Sequence, residues 1–280
     1  MAMRYLSATP RDIDPRALQK RSAQESDCDT LVADDCTVQV NGQTKIVYIA
    51  RLSHPEVERA RAAVQGVKYS TSTRTSGLVS TSRIFGYAPR NTLRGHPCRA
   101  TSMATDHPQE HAAICNAAPA VDSYYQKFFS ETHAHHREVA TRVREQWMIP
   151  GSVFTSGIVH YNNPLQYHFD AGNFSQVCSA MIGFRHNTQG GHLACPELGI
   201  AFEIGDRSLI LFDGQKLLHG VTPIRRLSED AFRFTIVYYS LKQMWNCDTV
   251  RGEVDALRER RTATERRKAA HVKKDEAGHT

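Results

Sequence analysis

Ser208-Leu209-Ile210-Leu211-Phe212-Asp213-Gly214 is a strand-sized apolar run closed by a turn dipeptide, and several units of the same kind follow Pro150. Phe154 to Tyr161, Ser179 to Arg185, Ile200 to Glu203 and Phe232 to Ser240 share its character. Asn162-Asn163-Pro164, Gln189-Gly190-Gly191 and Gly205-Asp206 supply turns between them. Short strands at this spacing predict an α+β fold whose core is a double-stranded β-helix, a small antiparallel jelly roll, with helices packed on one of its sheets.

Upstream of that core the pattern changes to helical periods. Pro119 to Trp147 places Tyr124, Phe128, Val139, Val143 and Trp147 on one stripe, and Pro150 closes it. Ser53 and Pro55 open a shorter helix reaching Val64, after a strand at Ile46 to Ala50, while the Ser/Thr-rich stretch Ser70 to Ser82 reads as loop or edge strand. The chain therefore divides into a polar N-terminal extension (1–44) with one strand near Thr37 to Val40, an N-terminal part of the catalytic domain (45–150), the β-helix core (151–247) and a basic tail (248–280). The tail from Arg251 onward holds nine Lys or Arg against six Asp or Glu and almost nothing apolar, as expected of a solvated helix or a mobile tail.

Over 280 residues, 40% hydrophobic and 23% charged composition suits one globular core with extensions. No apolar run reaches membrane-spanning length and none follows Met1 at signal-peptide length, so a membrane location is excluded and an intracellular one expected. Seven scattered cysteines without a Cys-x-x-Cys pair read as reduced thiols. The net charge of +6 is uneven: Arg59 to Thr105 carries eight Lys or Arg (Arg59, Arg61, Lys68, Arg74, Arg83, Arg90, Arg94, Arg99) and no Asp or Glu. Such a run predicts either a positive patch for a polyanion, most simply a nucleic-acid backbone, or a solvated basic face with no partner.

The candidate chemistry lies in the strand-rich half. His168-Phe169-Asp170 sets an imidazole and a carboxylate two residues apart, on one face of an extended segment. His219 follows a strand, and a jelly roll can return it beside that pair. Two His and one carboxylate leave open positions on a non-haem iron, as oxygen activation requires, whereas a zinc hydrolase would lack a general base. Farther on, Phe232-Arg233-Phe234-Thr235-Ile236-Val237 alternates, so that Arg233 and Thr235 share a face. An inward Arg demands an anion: a ligand carboxylate, helped by the Thr235 hydroxyl, or a structural acid such as Asp206 or Asp213. Arg225 and Arg226 are rival anchors that should face water. His133, His135 and His136, on the predicted helix, should be solvated.

At these residues the sequence resembles the Fe(II)/2-oxoglutarate-dependent dioxygenases, and within them the TET/J-binding-protein family of nucleic-acid-modifying oxygenases. The resemblance is carried by His168-Phe-Asp170-Ala-Gly-Asn173, Gly190-Gly191-His-Leu-Ala-Cys195-Pro196-Glu197-Leu198-Gly199, the Gly205-Asp206 to Leu211-Phe212 stretch, His219-Gly220-Val221-Thr222-Pro223-Ile224 and, upstream, Ser82-Arg83-Ile84-Phe85-Gly86-Tyr87. It implies Fe(II) on His168, Asp170 and His219, and 2-oxoglutarate on Arg233 with Thr235. It also implies a contact to the target base from Asn173, which by itself reads equally as an Asx-turn residue, and one to cosubstrate or phosphate from Arg83, which otherwise is a surface Arg. The activity so implied is oxidation of the 5-methyl group of 5-methylcytosine in DNA to 5-hydroxymethylcytosine, with DNA as partner. The alternatives are hydroxylation of thymine in DNA, a dioxygenase acting on protein side chains or small molecules, and a catalytically silent nucleic-acid-binding module.

Overall fold

The structure is a computed structural model that describes residues 3–73, 79–91, 93 and 95–277. Arg74 and Arg94 of the basic run lie outside the described residues. Two sheets face each other. The larger runs, in spatial order, Arg4–Ser7, Cys36–Val40, Gln43–Ile49, Leu209–Phe212, Ser179–His186, Phe232–Tyr239, Ser156–Tyr161, Val79–Ala88 and Ser70–Thr73, with Arg99–Ala100 also paired to Val79–Ala88. The smaller runs Thr30–Val32, Ile200–Phe202, Leu193–Cys195, His219–Val221 and Leu165–His168. This is the expected α+β jelly roll.

Period-2 alternation explains how one strand serves two surfaces. Along Phe232–Tyr239, Phe234, Ile236 and Tyr238 enter the core beneath the helices, together with Ala180, Ile182 and Phe184 of the neighbouring strand. Arg233, Thr235 and Val237 point the other way, between the sheets. There Met181, Ile210 and Phe212 meet Leu193, Phe202 and Val221 of the smaller sheet. The helices Pro55–Gly66, Pro108–Asn116 and Ala118–Phe128 cover only the outer face of the larger sheet, through Val57, Val64, Ile114, Val121 and Tyr125.

Several expectations are corrected. The N-terminal region is not a loose extension: Arg4–Ser7 pairs in parallel with Cys36–Val40, and Thr30–Val32 pairs in parallel with Ile200–Phe202, so it supplies strands to both sheets. Its Asn41-Gly42 pair, both at positive φ, turns a hairpin between Cys36–Val40 and Gln43–Ile49. The helix expected over Pro119 to Trp147 is broken at Phe129 into Ala118–Phe128 and Ser130–Ala140. The break buries Tyr125, Phe129, His133 and His136, while Tyr124 and Phe128 are only partly buried. His133 and His136 are thus structural instead of solvated: His133 Nε2 lies 3.0 Å from Asp122, and His136 Nε2 lies 2.9 Å from the Ser240 hydroxyl. Burial pushes His136 down to about 3, so its ring is neutral.

The cysteines are not all thiols. Cys98 and Cys247 form a disulfide across 149 residues, a pairing no local spacing could signal, and the other five are free. Beside it the tail begins as the helix Val250–Ala277, whose Glu253 is only 1% exposed and accepts from Arg90 and from the Cys98 and Asp248 amides.

The basic run also reads differently once folded. Arg59 pairs with Glu56, Arg61 with Asp206, Arg83 with Asp106 and Arg90 with Glu253. Acids from outside the run, distant in sequence except for Glu56, neutralise four of its cations; Lys68 and Arg99 are exposed. Among the described residues, no helix is long and apolar enough to cross a membrane.

Candidate active site

His168 ends the strand Leu165–His168, and His219 begins the strand His219–Val221. The two strands are antiparallel neighbours that set these histidines directly opposite each other. Asp170 follows just beyond the strand end. One ligand atom from each of the three residues lies within 4.8 Å of the others, and both Nε2 atoms are 3.8 Å from Asp170 Oδ1. Each Nδ1 is 2.8 or 2.9 Å from a backbone carbonyl, of Gln166 for His168 and of Leu217 for His219. Donation there places the ring proton on Nδ1, so that Nε2 carries the lone pair facing the carboxylate, as in metal-ligating histidines.

The carboxylate is held from behind. The Asp170 amide donates to the Gly214 carbonyl at 2.8 Å, and Oδ2 faces the Ser179 hydroxyl at 3.4 Å and the Asn173 amide at 3.5 Å. Asn173 is buried, also bonds Ser179, and accepts at its carbonyl from Gln215. Gly214 packs so closely that an added Cβ would overlap the Asp170 carboxylate. Gly214→Ala should therefore displace one of three ligands and weaken divalent-metal affinity by about 10- to 100-fold, as supporting-residue changes do; titration with Co(II), followed by its visible absorption, measures this.

Arg233 is fully buried between the sheets, and Nε, Nη1 and Nη2 all lack a hydrogen-bond partner. The acids that could have neutralised it are engaged elsewhere: Asp206 takes Arg61 and Arg207, and Asp213 accepts from its own loop at the Gln215 amide. Burial, with Arg185 opposite on the next strand, pulls the Arg233 guanidinium down to about 9. Gly191, at positive φ, gives it room, since a Cβ there would come 2.6 Å from Arg233 Nε. Thr235 lies on the same face and lines a cavity of about 360 Å³ with His168, Asp170, Asn173, His219 and Tyr239. Leaving a buried guanidinium without acceptors is costly, so the chemistry missing here is a carboxylate or a similar planar anion.

Of the seven residues singled out in the sequence, the fold gathers His168, Asp170, His219, Thr235 and Asn173 around that cavity, with Arg233 buried on the Thr235 face. Arg83 does not join them. It faces outward, bonded to Asp106 and the Lys68 carbonyl. Arg225 bonds Gln189, and Arg226 bonds the Glu229 and Ala231 carbonyls, so neither competes with Arg233. Sequence reasoning missed Ser179, Gly191 and Gly214 as site residues. The two glycines were visible only as turn signals, although each owes its identity also to a neighbour it must clear.

Comparison with known proteins adds three findings. The Tet/JBP family, described as the oxygenase domain of the 2OGFeDO superfamily, matches residues 83–242, more than half of the chain. The bifunctional helicase and thymine dioxygenase JBP2 of Leishmania braziliensis is 27% identical over 201 residues, covering 69% of this chain; the chain spans 18% of that relative's length. A solved structure of NgTET1 in complex with 5mC DNA shares the fold, with a TM-score of 0.60 at 12% identity over 92% of this chain and 91% of that one.

Proposed function

The chain belongs to the Tet/JBP oxygenase-domain family of the 2-oxoglutarate- and iron-dependent dioxygenases, and from that membership we propose that it hydroxylates the 5-methyl group of 5-methylcytosine in DNA. The observation that carries the reading is the pairing, in one barrel, of a two-His, one-carboxylate cluster with an orphaned buried guanidinium. His168, Asp170 and His219 would hold Fe(II). Arg233, with the Thr235 hydroxyl, would hold the distal carboxylate of 2-oxoglutarate. Bound there, metal and cosubstrate supply oxygen-dependent hydroxylation: R–CH3, O2 and 2-oxoglutarate give R–CH2OH, succinate and CO2.

The protein's own part is placement and exclusion. The Nδ1 donations fix both imidazoles, and the Gly214 carbonyl with Asn173 and Ser179 fixes the carboxylate. The apolar walls from Ile158, Met181, Leu193 and Val237 keep the cavity dry. A methyl group stacked inside a duplex cannot reach a ligand cluster between two sheets, so the base must leave the stack.

A second reading is hydroxylation of thymine, favoured by the thymine dioxygenase JBP2 among the relatives. Mass spectrometry of nucleosides from methylated DNA incubated with protein, Fe(II) and 2-oxoglutarate separates the two. 5-Hydroxymethylcytosine is the expected product and 5-hydroxymethyluracil the alternative. Succinate release with neither base oxidised, and a protein or metabolite hydroxylated instead, would overturn both.

A further inference from the structure

The cavity has a closed end and a mouth, and strand register tells them apart. Arg233 begins the strand Phe232–Tyr239 at the closed end, where Gly191 packs on its guanidinium. Tyr239 ends that strand and, with Leu241 beyond it, lines the cavity at the opposite end. Tyr239 pairs with Ser156, and Ser156 pairs with Gly86, so Val79–Ala88 finishes level with Tyr239, at the mouth. The chain leaving Ala88 therefore emerges where a substrate must enter.

It emerges as a short hairpin. Asn91 and His96 exchange backbone hydrogen bonds, each 2.9 Å, and between them Leu93 is 98% exposed, more than any other described large apolar side chain. The base of the hairpin is held unusually firmly for a loop. Arg90 donates to the buried Glu253 carboxylate and to the Asn246 carbonyl, and Cys98 bonds both Glu253, through its amide, and Cys247, through its sulfur. Cys98 and Cys247 belong to an apolar cluster with Phe174 and Val177, against which Leu241 and Trp245 pack. Residue 173, next to Phe174, bridges to Leu241 on the cavity wall. Exposed cations border this cluster: Arg99 follows Cys98, and Arg142 lies 3.7 Å over the Trp245 ring.

We propose that Leu93 is a wedge for duplex DNA, inserted at the step from which the target base is withdrawn, with Arg99 and Arg142 on the flanking phosphates. This rests on the reading of DNA as substrate. A bare leucine on a rigid hairpin, beside cations and at the mouth of a cavity that a stacked base cannot enter, has the form of the apolar wedges that unstack base steps. Filling the gap lowers the cost of extrusion, and single strands have no such cost to lower.

The experiment measures kcat/KM on matched duplex and single-stranded oligonucleotides carrying the oxidised base, for wild type, Leu93→Ala and Leu93→Met. Full exposure of Leu93 makes the variants fold like wild type, and their melting temperatures verify it. The expected result is a fall in the duplex-to-single-strand ratio of about 10- to 100-fold in Leu93→Ala, with most of it regained in Leu93→Met. An unchanged ratio in Leu93→Ala, with wild type active on duplex, overturns the wedge and leaves the DNA reading standing. Wild-type inactivity on both forms of DNA overturns that reading and the wedge with it.

Discussion

Asp170→Ala should abolish 2-oxoglutarate turnover, lowering succinate formation by about a thousandfold or more, since even the outer partners of a metal ligand are worth roughly 10- to 100-fold. The structure makes Asp170 the sharpest of the three positions to test. It is the one carboxylate of the cluster, both Nε2 atoms face its Oδ1, and its other oxygen faces Ser179 and Asn173. Its removal takes away one ligand and the group toward which the other two converge. His219→Ala should be as damaging, and Co(II) binding should be lost in parallel with succinate. Turnover unaltered by Asp170→Ala would remove iron from the assignment altogether.

Substitution of Arg233 should act in opposite directions on affinity and stability. Arg233→Met, which keeps bulk and discards charge, should raise the 2-oxoglutarate requirement by about 100-fold or more, because a charge-assisted fork to a carboxylate is lost from a dry site. Without cosubstrate the same variant should melt higher than wild type, since an unpaired buried cation is replaced by an apolar chain of similar volume. The pH dependence has a definite sign. The folded guanidinium is pulled from its ordinary 12.5 to about 9 by burial and by Arg185. Its cost to stability is present in full below about 9 and is relieved as pH rises toward 12.5, because the unfolded chain then binds the proton that the native state has released. Wild type should therefore gain on Arg233→Met above about pH 9, while its hold on the 2-oxoglutarate carboxylate weakens over the same range. Thermal melts at pH 7.5 and 9.5, with and without 2-oxoglutarate, measure both. Equal stabilisation of the two proteins by 2-oxoglutarate would show that the carboxylate binds elsewhere.

What was legible in the sequence was what a strand's alternation or a short spacing can carry. His168 and Asp170 share a face because they are two residues apart next to a strand, and Arg233 points inward because Phe234 and Ile236 point out. Pairings between distant segments left no such trace. The run from Arg59 to Thr105 lacks acids, yet Asp206, Asp106 and Glu253 reach it through the fold. Cys98 meets Cys247 through the same convergence. His133 and His136 looked solvated because a continuous helix was assumed; breaking it at Phe129 turned both toward the core.

The strands Arg4–Ser7, Cys36–Val40 and Gln43–Ile49 lie outside the family-matched span 83–242, yet they continue its larger sheet. Leu209–Phe212, buried along its whole length, is bordered on one side by Gln43–Ile49 alone. A transplant limited to the homologous span would leave that apolar strand as a raw edge, open to pairing with its own copies. Homology and autonomy thus part company in this chain. The stretch that kinship marks out is smaller than the stretch that can stand by itself, and a designer borrowing the chemistry must also carry the first fifty residues.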